Sequence, residues 1–437
     1  LTSNFQCGPG ESIMKKLWQL LIRSNKKTCA AHPTQQASEK GQSLPAALIA
    51  LAVGALLLTP FLGFVSSRTL GTGTAEETFN ELYAADAGIE YAIWSLLNVP
   101  SFRTQVDLNA GTAQALSFPG SINGLTPTVS VTGLPTGIWY TRADAPGTVN
   151  RGGGMAYAGG DRVYALRGDG SRDFDYYSIS ANQWYSLANT PRKVARGGSL
   201  VYGGGNYLYA LRGNNQDDFW RYNISTNSWS SRENTPSKVR QGGALAYDGG
   251  NNIYAFRGNS TDFWRYDISS DSWSSRADTL AKTGDGADLV YTGSNTIFAV
   301  RGARNTDFWR YNISTNTWST RQDTPANIDD GGSLAYYSGN YIYALQGKDT
   351  GFFRYAVTMD SWTTLTDTPA TVGFGGDLIF THSEGGFALR GADQSDFWEF
   401  EVTPPRYDIS SQAGALTTDA RLEIDGGSRT ILFWDIE

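Results

Sequence analysis

Arginine and aspartate return together along much of this 437-residue chain. Arg167, Arg212, Arg257, Arg301 and Arg390 each close one β-rich run, and Asp173, Asp218, Asp262, Asp307 and Asp396 each open the next. A guanidinium and a carboxylate so placed suit a cross-strand ion pair, one in each repeat. Where Gln346 replaces the arginine, Gly351 replaces the aspartate. A ring of arginines for an anionic ligand is the competing chemistry, but the joint loss of both partners favours structural pairing.

A second set of charges does not repeat. Arg151, Arg196 and Arg240 stand before three of the first β-rich runs, and Asp285, Asp329, Asp330 and Phe374 before the other three. Loops in this position open onto one face of a ring-shaped fold, so that rim is expected to be half basic and half acidic. Repeat symmetry does not demand this, which makes the rim the candidate partner-binding surface, weighed against ordinary variation of solvated loops. Catalytic chemistry has less to draw on. The chain holds two cysteines, Cys7 and Cys29, and two histidines, of which only His382 follows residue 67. Acids in turns, such as Asp169 and Asp349, lack EF-hand spacing. The glycosylation sequons at Asn223, Asn259 and Asn312 read as turn composition. No catalytic residue, metal or cofactor is expected.

Tryptophan shows which elements must position these residues. Trp139, Trp184, Trp229, Trp273, Trp318 and Trp362 are spaced by 45, 45, 44, 45 and 44 residues, the mark of a repeat fold. One unit, residues 197–234, holds four short β-rich runs at 199–202, 207–212, 218–224 and 228–232, with turn residues between them. Tyr222 and Trp229 resemble the Tyr and Trp pair of kelch repeats, although the kelch glycine doublet is reduced to Leu-Arg-Gly. The Gly-His and Trp-Asp marks of WD40 repeats are missing. First strands begin near Gly152, Gly197, Gly242, Gly286, Gly331 and Gly375. The last unit, with Trp398, meets Pro404 before reaching its periodic tryptophan, and Trp139 lacks the three strands that should precede it. The two fragments are expected to share one blade, closing a six-bladed kelch-like propeller over residues 136–404 and hiding sheet edges. Copper radical oxidases on kelch propellers use His ligands and a Cys–Tyr crosslink, and sialidases carry an Asp-box; neither pattern occurs here.

Upstream, residues 42–67 run without a charged side chain. As a helix they would reach roughly 39 Å, enough to cross a hydrocarbon core of about 30 Å. Six bases and two acids give residues 1–41 a charge of +4, which leaves −11 for the rest of a chain carrying −7. The basic side is expected in the cytoplasm and the acidic body outside it. An acidic exported body argues against nucleic acid as a partner. Gly10-Glu11 would be encoded by purine-rich codons ahead of Met14, which reads residues 1–13 as untranslated sequence. The run Ser-Glu-Lys-Gly-Gln-Ser-Leu at 38–44 resembles the cut site of type IV pilins and type II secretion pseudopilins. That resemblance implies cleavage between Gly41 and Gln42 by a prepilin peptidase. Residues 83–94, Tyr-Ala-Ala-Asp-Ala-Gly-Ile-Glu-Tyr-Ala-Ile-Trp, resemble the second half of a PilX-type minor pilin stem. Ala46 stands where most pilins have Glu, which moves the resemblance towards a tip or minor subunit.

These readings combine into an expected organisation. A leader (1–41) precedes a pilin-like helix (42–100), head strands (101–135), the inserted propeller (136–404) and further head strands (405–437). The fold class is then an α+β pilin-like stem and small antiparallel sheet with an all-β propeller inserted. The expected function is a pilus or pseudopilus subunit displaying the propeller for adhesion. Its partners would be other pilin or pseudopilin subunits, the prepilin peptidase, inner-membrane assembly machinery and an extracellular protein or glycan ligand. The alternative is a membrane-tethered carbohydrate-binding or hydrolytic propeller that does not polymerise.

Overall fold

The computed structural model describes residues 72–337, 340–381, 385–425 and 428–436. Contacts divide the chain into residues 1–74 and 75–437, and the described elements lie almost wholly in the second unit. Six sheets of four antiparallel strands account for most of it. Within each, the second strand is buried on both faces, as Tyr207–Leu211 shows, so its residues run apolar without alternation. The fourth strand is the outer edge, and in four blades it carries only Ser or Thr around one tryptophan, as in Ser228–Ser231. Asn227 and its counterparts Asn182, Asp271, Asn316 and Asp360 turn the chain between third and fourth strands at positive φ, a conformation Asn and Asp tolerate better than most residues.

The sheets form a closed ring. First strands Gly154–Tyr157, Ser199–Tyr202, Ala244–Tyr247, Asp288–Gly293, Ser333–Tyr337 and Asp377–Thr381 each touch the next, and the last touches the first. The blade built from Asp377–Thr381, Gly385–Leu389 and Phe397–Glu401 takes its fourth strand, Ile138–Thr141, from the other end of the ring. Trp139 lies opposite Phe400, and Trp398 opposite Thr141. Arg142 pairs with the buried Glu399 across the same seam.

Between blades one clamp recurs. The indole N–H of Trp229 donates to the carbonyl of Ala188 at 2.9 Å, in the loop leaving the preceding blade. Trp184, Trp273, Trp318, Trp362 and Trp139 reach Ala143, Glu233, Ala277, Gln322 and Thr366 in the same way. Each indole also meets a phenylalanine of the preceding blade edge-on or tilted, with centroids 4.9 Å apart for Phe174 and Trp229 and 5.0 Å for Phe352 and Trp139. In five blades a tyrosine hydroxyl and a backbone N–H of the preceding blade converge on the turn Asn or Asp; Tyr222 and the Ala188 N–H both donate to Asn227 Oδ1 at 2.8 Å.

The remaining described elements are two helices, α1 (Thr72–Asn98) and α2 (Pro100–Leu108), and a five-stranded sheet. That sheet is ordered Gln114–Leu116, Thr128–Gly133, Arg406–Ala413, Leu416–Asp425, Ser428–Ile436. Ile89, Ala92, Ile93 and Leu96 of α1 pack on Val129, Val131, Ile409 and Leu422 of the sheet. α1 stops at Asn98, and Pro100 opens α2 at a position where a missing N–H costs nothing.

The expectation of a pilin-like stem is corrected. The described residues are nearly all β, and neither helix is long and apolar enough to cross a membrane, so they supply no inner-membrane anchor. The spacing of small and aromatic residues in 83–94 has a plainer cause: Ala84, Ala85, Ala92 and Gly88 form the face that lies against a sheet. A Cβ on Gly88 would stand 2.0 Å from Ser411 Oγ. Any amphipathic helix in such close contact shows that pattern. The apolar run 42–67, Ala46 and the proposed cut at Gly41–Gln42 lie outside the described residues.

The seam yields a test. Trp139→Ala should cost about 3–5 kcal/mol, as other deletions of large buried aromatics do. It should also direct early limited proteolysis of the chain to 136–142 or 396–404. Trp273→Ala, in mid-ring, should destabilise comparably without exposing those segments. The same early fragments from both variants would show that the ring has no distinct seam.

Candidate functional site at the channel mouth

Glycine brings the six loops before the first strands close to the propeller axis. Gly197 has φ +85, and a Cβ there would lie 1.9 Å from the Arg240 carbonyl of the next blade. Only glycine lets adjacent backbones approach so closely in that conformation.

Charges that repeat lie away from the axis and are paired. Arg212 meets Asp218 at 2.7 Å, Arg257 meets Asp262 at 2.6 Å, Arg301 meets Asp307 at 2.8 Å and Arg390 meets Asp396 at 3.0 Å. Arg167 reaches Asp173 at 3.3 Å and, more closely, Asp175 at 2.7 Å. Nε of Arg212 also donates to the Lys193 carbonyl at 3.2 Å, so the guanidinium braces the loop approaching the axis.

Charges that break the repeat collect at the axial opening. Arg151, Arg196, Asp285, Asp330 and Phe374 line one mouth together. Arg196 spans it to grip Asp285 with two nitrogens, skipping the blade between. The Arg151 guanidinium lies 3.6 Å from the centre of the Phe374 ring. Lys348, overlooked in the sequence, contacts Asp330, lies 3.3 Å from Asp329 and stands 5.3 Å from the Phe374 centroid. Arg304 holds Asp329 at 2.8 Å. Arg240 turns aside towards Asn215 and does not line the mouth. From the mouth a groove of about 480 Å³ leads outward past Lys282, Arg304 and Asp329.

Deeper in the channel stand two carboxylates that sequence reasoning missed. The inward position at the start of each first strand is occupied in turn by Gly154, Ser199, Ala244, Asp288, Ser333 and Asp377. Asp288 Oδ2 accepts from the Leu334 N–H at 2.8 Å, and Asp377 Oδ2 from the Met155 N–H at 2.5 Å, so each ties its blade to the next. Ser333 Oγ lies 3.1 Å from Asp288 and 2.7 Å from Asp377. Ser333 Oγ also accepts from the Leu378 N–H at 3.2 Å, so one hydroxyl bridges both carboxylates while itself held by the backbone. Burial raises the pKa of both acids, and the charge of Asp377 raises Asp288 further, to about 7. Burial also raises Asp330, with Lys348 opposing. The signal available in the sequence was aspartate at a repeat position otherwise held by Gly, Ala or Ser.

No protein-family model matches this chain, and no curated protein does. Among solved structures, the chain is similar to YjhT, at 12% identity and a TM-score of 0.47, over 66% of this chain and 99% of that one. It is likewise similar to a structural genomics protein of unknown function from Bacteroides thetaiotaomicron, at 11% identity and a TM-score of 0.49, over 66% and 87%.

Two measurements probe these charges. In a double-mutant cycle, Arg212→Gln and Asp218→Gly together should cost less than their separate costs combined, the coupling being about 0.2–1 kcal/mol for a partly exposed pair. Strict additivity would rule out direct contact in solution. For Asp288, the folded carboxyl keeps a proton that the unfolded chain releases near 3.8, so its stabilising effect is full below that pH and fades as pH rises through about 7. Asp288→Asn should therefore flatten the fall in melting temperature between acid and mildly alkaline pH. Equal slopes for both proteins would show that Asp288 titrates normally.

Proposed function

We propose that this protein is a non-polymerising binding propeller that takes its ligand at the channel mouth. One observation carries the reading. Residues that repeat are committed to holding the ring, whereas Arg151, Arg196, Asp285, Asp330 and Phe374 break the repeat and still converge on one opening. Ring closure does not need them there, and a concave site with a few convergent polar groups is the usual form of a ligand pocket. Binding is preferred over hydrolysis because Asp288 and Asp377 are held by backbone N–H groups and Ser333. Carboxylates so occupied serve blade contacts first.

Arrays of glycans and proteins probed with the full chain test the proposal. The Arg196→Ala, Asp285→Ala double variant removes both charges of the cross-mouth pair and should weaken any specific ligand by about tenfold or more, with its melting temperature as control. A ligand whose affinity is unchanged in that variant would place the binding site elsewhere. Sedimentation of the purified chain should show no concentration-driven polymers; their appearance would remove the non-polymerising half of the proposal.

A further inference from the structure

We infer that the mouth takes a neutral, hydroxyl-rich molecule of the saccharide class, held between Arg151 and Asp330. The inference rests on the mouth being the binding site. Asp330 is 4% exposed, and its Oδ1 has no hydrogen-bond partner in the protein while Oδ2 meets Lys348. Arg151 Nε is equally shielded and also lacks a partner. The two side chains line the same opening and are joined through Phe374, over which both Arg151 and Lys348 lie. A buried acceptor and a buried donor left unpaired are each costly, which singles them out from the satisfied groups around them.

A hydroxyl answers both needs, because it donates to a carboxylate and accepts from a guanidinium. Charged ligands fare worse. An ammonium would suit Asp330 but face Arg151, Arg196 and Lys348. A carboxylate would suit Arg151 but face Asp285, Asp329 and Asp330. With both signs interleaved around the opening, neither charge enters without repulsion. A single water has the same two hydrogen-bonding capacities, but the mouth continues into the 480 Å³ groove, within the roughly 300–1,000 Å³ typical of small-ligand sites. A molecule repeating hydroxyls along its length matches both the opening and the groove.

Calorimetric titration of the full chain with a panel of neutral mono- and disaccharides, the corresponding uronic acids, amino sugars and dipeptides tests this. A neutral saccharide should bind, and Asp330→Asn and Arg151→Lys should each weaken it by about tenfold or more, since each removes a hydrogen bond to a charged group. Asp330→Asn is isosteric and Arg151→Lys keeps the positive charge while removing Nε, and unchanged melting curves would exclude misfolding as the cause. Preference for a charged member, or for a dipeptide, would overturn the inference while leaving the mouth as a binding site if the Arg196→Ala, Asp285→Ala variant lost it. Neutral-sugar binding that survives both substitutions would overturn the assignment to Arg151 and Asp330. Failure of every saccharide to bind would overturn the inference outright.

Discussion

Everything in the propeller depends on the indole clamp between neighbouring blades. A four-stranded sheet of four- to six-residue strands buries too little apolar surface to stand alone, so a blade is stable only against its neighbours. The clamp joins three interactions at one point: an indole N–H on a loop carbonyl, the indole edge on a phenylalanine and a tyrosine–Asx pair on the same loop. The hydrogen bonds fix the angle between blades, and the aromatic contact adds buried apolar surface at the same point. Six repetitions of one angle bring the last sheet back to the first.

The seam uses different means to the same end. Where other blades have tyrosine and Asn or Asp, the closing blade has Phe400 and Gly137. Gly137 sits at φ +96 with the Phe400 ring where its Cβ would stand, so no side chain fits there. Gly137 is secured through its backbone instead: its N–H donates to Thr403 Oγ1 at 2.8 Å, and its carbonyl accepts from Thr366 Oγ1 at 2.9 Å. A tyrosine–Asx clamp needs both residues in one hairpin, and at the seam no hairpin joins the third and fourth strands. The tryptophan clamp survives because it needs only strand pairing.

Distance from the axis divides charge that repeats from charge that does not. Repeating Arg–Asp pairs lie at the rim of each blade, partly wet, where pairing is worth little but braces the inner loops. Asp288 and Asp377 lie deeper, held by backbone donors and a shared serine, with their pKa values raised by burial. Between these layers, at the mouth, Asp330 and Arg151 are shielded from solvent but only partly satisfied.

Some of this was legible in the sequence and some was not. The 44–45-residue tryptophan spacing, four β-rich runs per unit and an unfinished last unit mark a repeat fold of shared blades, because such signals are local and each repeat reports them again. Pairing of Arg with Asp was legible for the same reason, since the one repeat lacking the arginine also lacks the aspartate. Resemblance misled at residues 83–94: the Ala and Gly that suggested a filament stem serve close contact with a sheet, and a helix pattern does not say what lies opposite it. The mouth could not be read in advance. Arg196 and Asp285 are 89 residues apart, and Asp288 and Asp377 stand in separate repeats, so only closure of the ring makes them neighbours. The sequence by itself determined which residues repeat, because repetition is a property of order along the chain. Which of the others share a site was decided by the tertiary structure, because distance across an axis depends on the angle at which every blade is clamped.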